Sequence, residues 1–533
     1  MCTLSQKEFW LDGLAGQVVT RFPNAKLYRT ENGIGASGFP HIGSLADAVR
    51  SYGVKLALEK RGLRSEHVAY SDDKDGLRKV PKGTPKELTA YLGRPVSSIP
   101  DPWNCHQSYG SHMSGLLLEG LEKLELDFTF LSGTEMYRSG RLNVQIEKIL
   151  ANGEKVGAII QETTRQEKFT KQIPYLPVCH NCGRIYTTLA TSYDKKAVEI
   201  TYECVGGEIA GRFIAGCGHH GERKISEGEG KLPWKAEFAV RWAALGISFE
   251  AYGKELSDSI ASNDRICREV LGTEPPVHAR YELFLNKGGT KMSKSSGELI
   301  THRQWLRYGS PASLRLLMLK RIEGAREVGE EDIPVYMAEL DNLEDIYFGI
   351  RPASDKSEEP DKKSLYAYTL LQKLPPRAFS HPAYNLLVYL CTIAPPEGRT
   401  EFIMSKLKDY GISPLDDEDR SNLIARIGYA DNWRCDHGLA PSPINLDSEE
   451  RKIIAKVIEL LSGAQTEEDY QSAAYQSSKA LGIDAKTTFR AVYRALLGRD
   501  SGPRLGPYIS SMGRDEVVRR LKEVLNAESS SSY

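Results

Sequence analysis

A doubly wound parallel α/β sheet, broken by a cysteine-rich insertion and followed by an all-α C-terminal region, is the architecture this sequence predicts. Three observations predict it. An extended run from Ala25 to Thr30 gives way, through Gly33-Ile34-Gly35-Ala36-Ser37-Gly38, to an apolar-periodic segment from Leu45 to Leu56. Strand, tight loop and helix N-terminus form the unit from which such sheets are built, and the helix start is a ready receiver for phosphate. A second β-rich run, Glu66 to Tyr70, ends in the acidic turn Asp72-Asp73-Lys74-Asp75. Beyond Ser310 no strand pattern recurs and the apolar spacing becomes helical.

The α/β alternation covers residues 1–178, with Val156 to Ile160 near its exit, and resumes over 232–300 with Trp234 to Leu245. Both stretches belong to one nucleotide-binding domain. Residues 179–231 interrupt it with glycine, cysteine and charge, and read as an insertion. Residues 301–351 read as a helical connecting domain, in which Ser310 caps a helix through Leu319 and Pro311 sits in its first turn. Pro352, Ser354, Asp355, Ser357, Glu358, Glu359 and Pro360 make 352–363 a charged linker. Residues 364–533 read as one α-helical domain, with amphipathic spacing in Tyr384 to Cys391, Ile453 to Leu461, Ala473 to Leu481 and Thr488 to Leu497.

With 533 residues, 40% hydrophobic and 26% charged, the chain has the composition of a multi-domain globular protein. A net charge of −1 gives no global attraction to nucleic acid. RNA binding would need local patches, such as Arg315, Lys320, Arg321 and Arg326, or Arg519, Arg520 and Lys522. No window approaches the ~20 apolar residues of a membrane span, and the start lacks an apolar signal segment. The expectation is a cytoplasmic protein, in which nine cysteines, an odd number, do not form structural disulfides.

Cys179-His180-Asn181-Cys182 has the C-x2-C spacing that turns two thiolates toward one ion, and Cys204 and Cys217 follow. Such soft ligands on a glycine-rich insertion favour tetrahedral Zn2+ in a structural role. Cys179, Cys182 and Cys217 are the surer ligands. Cys204 is taken as the fourth, with His219 and His220 as alternatives. The cysteines at 2, 105, 267, 391 and 435 are isolated and expected to be buried small hydrophobes.

Two short motifs then speak together. Pro40-His41-Ile42-Gly43-Ser44 sits at the predicted helix start, and Lys291-Met292-Ser293-Lys294-Ser295 lies roughly 250 residues later between glycine-rich hinges. Either alone is a weak signal; the ordered pair fits a site that activates a carboxylate with ATP. That chemistry asks the protein for positioning and charge stabilisation. His41 can donate to phosphate oxygens, Gly43 allows close approach of the nucleotide, and Lys291 and Lys294 are compact charges for the departing pyrophosphate.

The pair resembles the His-Ile-Gly-His and Lys-Met-Ser-Lys-Ser signatures of class I aminoacyl-tRNA synthetases, with Ser44 in place of the second histidine. Further segments are similar to class I lysyl-tRNA synthetase: Ser71 to Pro81, Gly230 to Lys235, Arg241-Trp242-Ala243, Tyr252 to Glu255, Tyr281 to Phe284 and Gly502 to Pro507. The resemblance implies a Rossmann-like catalytic domain, a helical anticodon-binding domain, and ATP-dependent ligation of L-lysine to tRNA(Lys) through lysyl-adenylate, with Mg2+ on the triphosphate. It implies catalytic roles for His41, Lys291 and Lys294. ATP contacts would come from Ser37, Gly38, His41, Gly43, Ser44, Met292, Ser293 and Lys294, and a lysine pocket from Gly33, Trp234 and Tyr281. Some relatives carry histidine where Leu256 stands. The ε-ammonium needs a carboxylate, for which Asp72 or Asp73 at a strand end is the candidate and Glu282 the next. A glutamyl enzyme, using Arg78 or Arg29 in its pocket, an adenylate-forming enzyme without transfer, and a non-catalytic RNA-binding paralogue are the alternatives. A monomer is the default expectation.

Overall fold

The computed structural model describes residues 8–282, 284–287, 289, 300–437, 446–497 and 504–526. Helix α1 (Trp10–Arg21) precedes β1 (Tyr28–Ile34); α2 (Ile42–Lys60) leads to β2 (Ser65–Ser71) and α3 (Tyr109–Lys123) to β3 (Thr129–Ser132). Three helices follow, α4 (Gly133–Arg138), α5 (Asn143–Ala151) and α6 (Gly153–Thr164). The insertion holds β4 (Leu176–Pro177), β5 (Thr188–Asp194), β6 (Glu199–Cys204), β7 (Gly206–Ile209), β8 (Arg212–Ala215), β9 (His220–Lys224) and β10 (Gly230–Lys231). Then come α7 (Trp234–Leu245), β11 (Ile247–Gly253), α8 (Ser257–Ile266) and β12 (Val277–Tyr281).

The central sheet runs β12-β11-β1-β2-β3, and every pairing in it is parallel. The chain lays β1 first, winds out to β3, then returns to the other side at β11. The reversal between β1 and β11 opens a crevice at their carboxyl ends, where ligands bind in such sheets. The sequence places the first strand at 25–30, whereas β1 runs on to Ile34 through buried Glu31 and Asn32. Those polar residues are tolerated because each has a partner. Asn32 Oδ1 lies 3.0 Å from His67 Nε2, and Glu31 pairs with Arg241. Val156 to Ile160, read as part of the strand–helix alternation, lies within α6.

In the insertion, β5-β6-β9 form an antiparallel sheet and β7-β8 a hairpin, and the antiparallel pair β4–β10 forms the neck. After β12 the chain passes β13 (Phe284–Leu285), α9 (His302–Tyr308), α10 (Pro311–Leu319), β14 (Arg326–Glu327), α11 (Ile333–Tyr347) and α12 (Glu359–Thr369). Part of the expected linker is therefore helix. Pro360 falls in the first turn of α12, where its missing N–H costs nothing, so it opens the helix instead of breaking it. Of the expected basic patch, Lys320 and Arg321 are exposed but Arg315 and Arg326 are not. Both are buried, and Arg315 donates to Thr369 O, Leu124 O and Glu125.

The chain divides into two compact units, Met1–Ala378 and Phe379–Tyr533. The second contains α13 (Tyr384–Ile393), α14 (Arg399–Asp409), α15 (Asp417–His437), α16 (Ser448–Gly463), α17 (Glu467–Leu481), α18 (Ala485–Leu497), α19 (Leu505–Met512) and α20 (Arg514–Asn526). No strand occurs there among the described residues. Apolar faces bury Leu387, Leu390 and Ile427, and Ile453, Val457 and Leu521. Asp447 with Glu450, and Thr466 with Asp469, close capping boxes at the starts of α16 and α17.

Candidate active site and metal centres

The head of α2 is built by His41. It is the N-cap residue, with extended backbone, and its Nδ1 accepts from the Gly43 N–H at 3.0 Å. Its own N–H donates to Ser44 Oγ at 3.4 Å, completing a capping box. The imidazole folds back over Gly43, where a Cβ would stand 2.8 Å from the ring, so only glycine fits. A ring whose Nδ1 accepts carries its proton on Nε2, the nitrogen not engaged in the cap. The lysine-bearing loop, including Lys291, Met292, Ser293, Lys294 and Ser295, lies outside the described residues. Its flanks do not. Ile300 O accepts from Ile42 N at 2.9 Å, and Phe284 packs 4.0 Å from the position of a Gly43 Cβ. Both ends of that segment thus meet at the head of α2.

Beside it lies a cavity of about 320 Å³ lined by Gly35, Ala36, Ser37, Asp72, Asp75, Gly76, Arg78, Lys79, Pro81 and Trp234. A Cβ at Gly33 would meet only Asp72 Oδ2, at 3.7 Å, so glycine leaves room beside that carboxylate. The Trp234 indole N–H is buried and has no hydrogen-bond partner among the described residues. It is an orphan donor at the cavity edge, suited to an acceptor brought by a ligand.

Beneath the cavity runs a buried charge network. Arg241, fully buried, pairs with Glu31 at 2.5 Å, Glu250 at 3.0 Å and Asp72 at 3.3 Å. Lys231 pairs with Asp75 and, at 2.6 Å, with Glu237. Burial opposes both cations, but their carboxylate partners more than offset it and hold both pKa values above the ordinary range. Five carboxylates thus share two cations. Burial pushes the Asp72 carboxyl up, against the pull of Arg241. The network carries surplus acid, and a cationic ligand suits it.

The predicted lysine-site residues do not all meet. Gly33, Asp72 and Trp234 converge, but Asp73 is committed elsewhere, accepting from Ser132 Oγ at 2.5 Å and Thr134 N at 2.7 Å at the start of α4. Tyr281 ends β12, two strands from β1, with the Arg50 guanidinium 4.3 Å from its ring centre. Glu282 is paired with Lys254. Arg29 sits at the opposite, amino end of β1, paired with Glu66, so only Arg78 of the two arginines weighed reaches the cavity. One carboxylate was missed. Asp47, in the second turn of α2, bonds the Tyr281 hydroxyl, and burial pushes it up to about 7. Its only sequence signal was that it is the one acid in α2 before Glu59.

The four insertion thiols come together, with all Sγ atoms within 4.8 Å of one another. Cys179 Sγ is 3.6 Å from Cys217 Sγ, and Cys182 Sγ is 3.7 Å from Cys204 Sγ. Those separations are far from a disulfide bond but match the edges of a ZnS4 tetrahedron, about 3.8 Å for Zn–S bonds of about 2.3 Å. His219 and His220 stay outside the group; His220 pairs with Glu203. A second cluster, Asp101, Cys105, His106 and His112, also falls within 4.8 Å. Cys105 is exposed there, its Sγ 3.2 Å from both His106 Nδ1 and His112 Nδ1, which corrects its reading as a buried hydrophobe. Cys435 is exposed as well. Trp103 stacks on His112 at 4.3 Å and lies 5.9 Å from Phe39, just ahead of His41.

The family model described as tRNA synthetases class I (K) matches residues 8–372, and an anticodon binding domain model matches 443–525. A lysine–tRNA ligase of Cenarchaeum symbiosum is 44% identical over 96% of this chain and 98% of its own length. The lysine–tRNA ligase of Pyrococcus furiosus is 31% identical, over 96% and 99%. Among solved structures, a glutamate tRNA ligase from Elizabethkingia meningosepticum aligns with a TM-score of 0.40 and 12% identity, covering 94% of this chain and 99% of that one.

Proposed function

This chain belongs to the class I lysyl-tRNA synthetases, and on that premise we propose how its residues divide the work of joining lysine to tRNA. The lysine carboxylate attacks the α-phosphorus of ATP, pyrophosphate leaves, and the terminal ribose hydroxyl of tRNA(Lys) then takes the lysyl group and releases AMP. ATP arrives as its Mg2+ complex, the metal neutralising part of the triphosphate charge. The observation that carries the reading is the meeting of both flanks of the lysine-bearing loop at the head of α2, beside the acid-lined cavity.

His41 Nε2 donates to phosphate oxygens as negative charge builds. Gly43 and the backbone around Ser37, Gly38 and Ser44 receive the nucleotide, and Met292 and Ser293 carry Lys291 and Lys294 to the departing pyrophosphate. Asp72, braced by Arg241, takes a substrate ammonium in the space that Gly33 leaves open. The Trp234 N–H offers the orphan donor, while Tyr281, outside the cavity lining, has no part in this pocket.

Both side-chain clusters are proposed as structural zinc sites. Cys179, Cys182, Cys204 and Cys217 would hold the insertion, and Asp101, Cys105, His106 and His112 the loop that packs by Phe39. Thiols kept as ligands suit a reducing, cytoplasmic compartment. No helix among the described residues is long and apolar enough to cross a membrane. A monomer is the proposed state. Amino-acid-dependent ATP–pyrophosphate exchange, run across all twenty amino acids, tests the function. Lysine alone is expected to drive it. Exchange driven by glutamate instead, or by none, overturns the reading.

A further inference from the structure

The turn that carries Asp72 and Asp75 is gripped on its C-terminal side by both ends of the insertion, at Tyr186 and at Lys231. On the incoming side, Gly76 lies flat against Tyr186 and Ile185. A Cβ there would stand 2.6 Å from Tyr186 Cε2 and 2.9 Å from Ile185 Cγ2. Arg78 Nη2 donates to the Tyr186 hydroxyl at 3.2 Å, and its guanidinium sits 4.9 Å from the centre of that ring. Ile185 N–H donates to Gly93 O at 2.7 Å, and Gly93 N–H to Leu77 O at 2.8 Å, so the insertion backbone continues into the cavity wall. Cys179 N–H in turn donates to Arg184 O at 2.9 Å, tying this strand to the cysteine knuckle. On the outgoing side, Lys231 pairs with Asp75 and Glu237. The next N–H, of Leu232, donates to Tyr137 Oη at 3.0 Å, and that hydroxyl donates to Glu237 Oε1.

Gly76 and Arg78 line the cavity; Tyr186 stands behind them. We propose that Tyr186 is a positioning residue for the amino-acid site, setting the acidic turn at the distance a substrate ammonium requires, with Lys231 as the second anchor. The proposal rests on the reading of this cavity as the amino-acid pocket. Without the ring, the space behind Gly76 opens and Arg78 loses one of its supports. Lysine binding suffers, while the nucleotide site at the head of α2, which Tyr186 does not touch, is spared.

The test is lysine-dependent ATP–pyrophosphate exchange by the full-length protein. Tyr186→Ala is expected to raise the lysine KM about tenfold or more, the scale of a small misplacement, with kcat and the ATP KM within about twofold. Tyr186→Phe keeps the ring against Gly76 and recovers most of the loss. Gly76→Ala forces a methyl into the ring and raises the lysine KM by itself. In the Tyr186→Ala background the ring part of that clash is gone and only the 2.9 Å approach to Ile185 Cγ2 remains, so the double variant is less impaired than the product of the single effects. An unchanged lysine KM in Tyr186→Ala overturns the proposal, as does a parallel rise for lysine and ATP, which a merely structural role would produce. Wild-type exchange driven by another amino acid overturns the lysine assignment instead, and the same variants are then compared in that amino acid's KM.

Discussion

The proposed role of His41 falls to Nε2, the ring nitrogen that its cap does not use. Because Nδ1 is spent on the Gly43 N–H, replacement by alanine removes both a phosphate donor and a helix cap, and the two losses separate in measurement. Single-turnover lysyl-adenylate formation by His41→Ala is expected to fall by roughly 10²–10³, as for other donors to a developing charge. Stability should fall by only about 1 kcal/mol. A rate within severalfold of wild type would remove this histidine from the chemistry. Asp47 gives a pH signature. Its carboxyl is raised by burial to about 7. A group raised in the folded state stabilises it below its unfolded pKa near 4 and loses that contribution as pH rises through about 7. Asp47→Asn should therefore gain stability relative to wild type between pH 5 and pH 8, read as denaturation midpoints; parallel curves would exclude Asp47 as the source. The two residues differ in legibility for a physical reason. His41 and Gly43 are two positions apart, so local spacing shows their partnership. Asp47 finds Tyr281, and Arg241 finds Glu31 and Glu250, only once distant strands pair.

At the scale of elements, what is local in sequence is legible and what depends on a boundary or a return of the chain is not. α13, α16, α17 and α18 follow the apolar spacing that predicts them. The C-x2-C knuckle is equally plain, yet the place of Cys204 is settled only by β6 delivering it beside Cys182. The charged run before α12 misleads because a proline in a first turn and a proline in a linker look alike in sequence. The Asp101 cluster escapes because its Asp-x3-Cys-His-x5-His spacing runs from a loop into the first turn of α3 without a paired-cysteine signal. Its test is stoichiometric. Metal analysis of the purified protein should give about two zinc ions per chain, falling to about one in Cys105→Ser and in Cys182→Ser. Two ions retained in Cys105→Ser, or one in wild type, would leave Asp101 as nothing more than the acceptor for the backbone N–H groups of Trp103, Cys105 and His106 that its contacts already show.

Across the whole molecule, chemistry and recognition are assigned to different units. His41, Asp72, Trp234 and both candidate metal-ligand clusters belong to Met1–Ala378, which has its own parallel sheet, while the anticodon binding domain match falls within Phe379–Tyr533. A net charge of −1 means that a polyanion is not held by the global field, and burial of Arg315 and Arg326 leaves only Lys320 and Arg321 of that candidate patch exposed in the first unit. We propose that affinity for tRNA draws mainly on the helical unit, where the anticodon binding domain match falls. Activation of lysine needs no tRNA in the reaction as written, so a chain ending at Ala378 should retain lysine-dependent pyrophosphate exchange within about tenfold of wild type. Its tRNA KM should rise by more than tenfold, a loss of at least about 1.4 kcal/mol of binding. The comparison is decisive in either direction. Loss of exchange by a truncated protein with native circular dichroism would show that the helical unit shapes the active site. An unchanged tRNA KM would place recognition wholly on the catalytic unit.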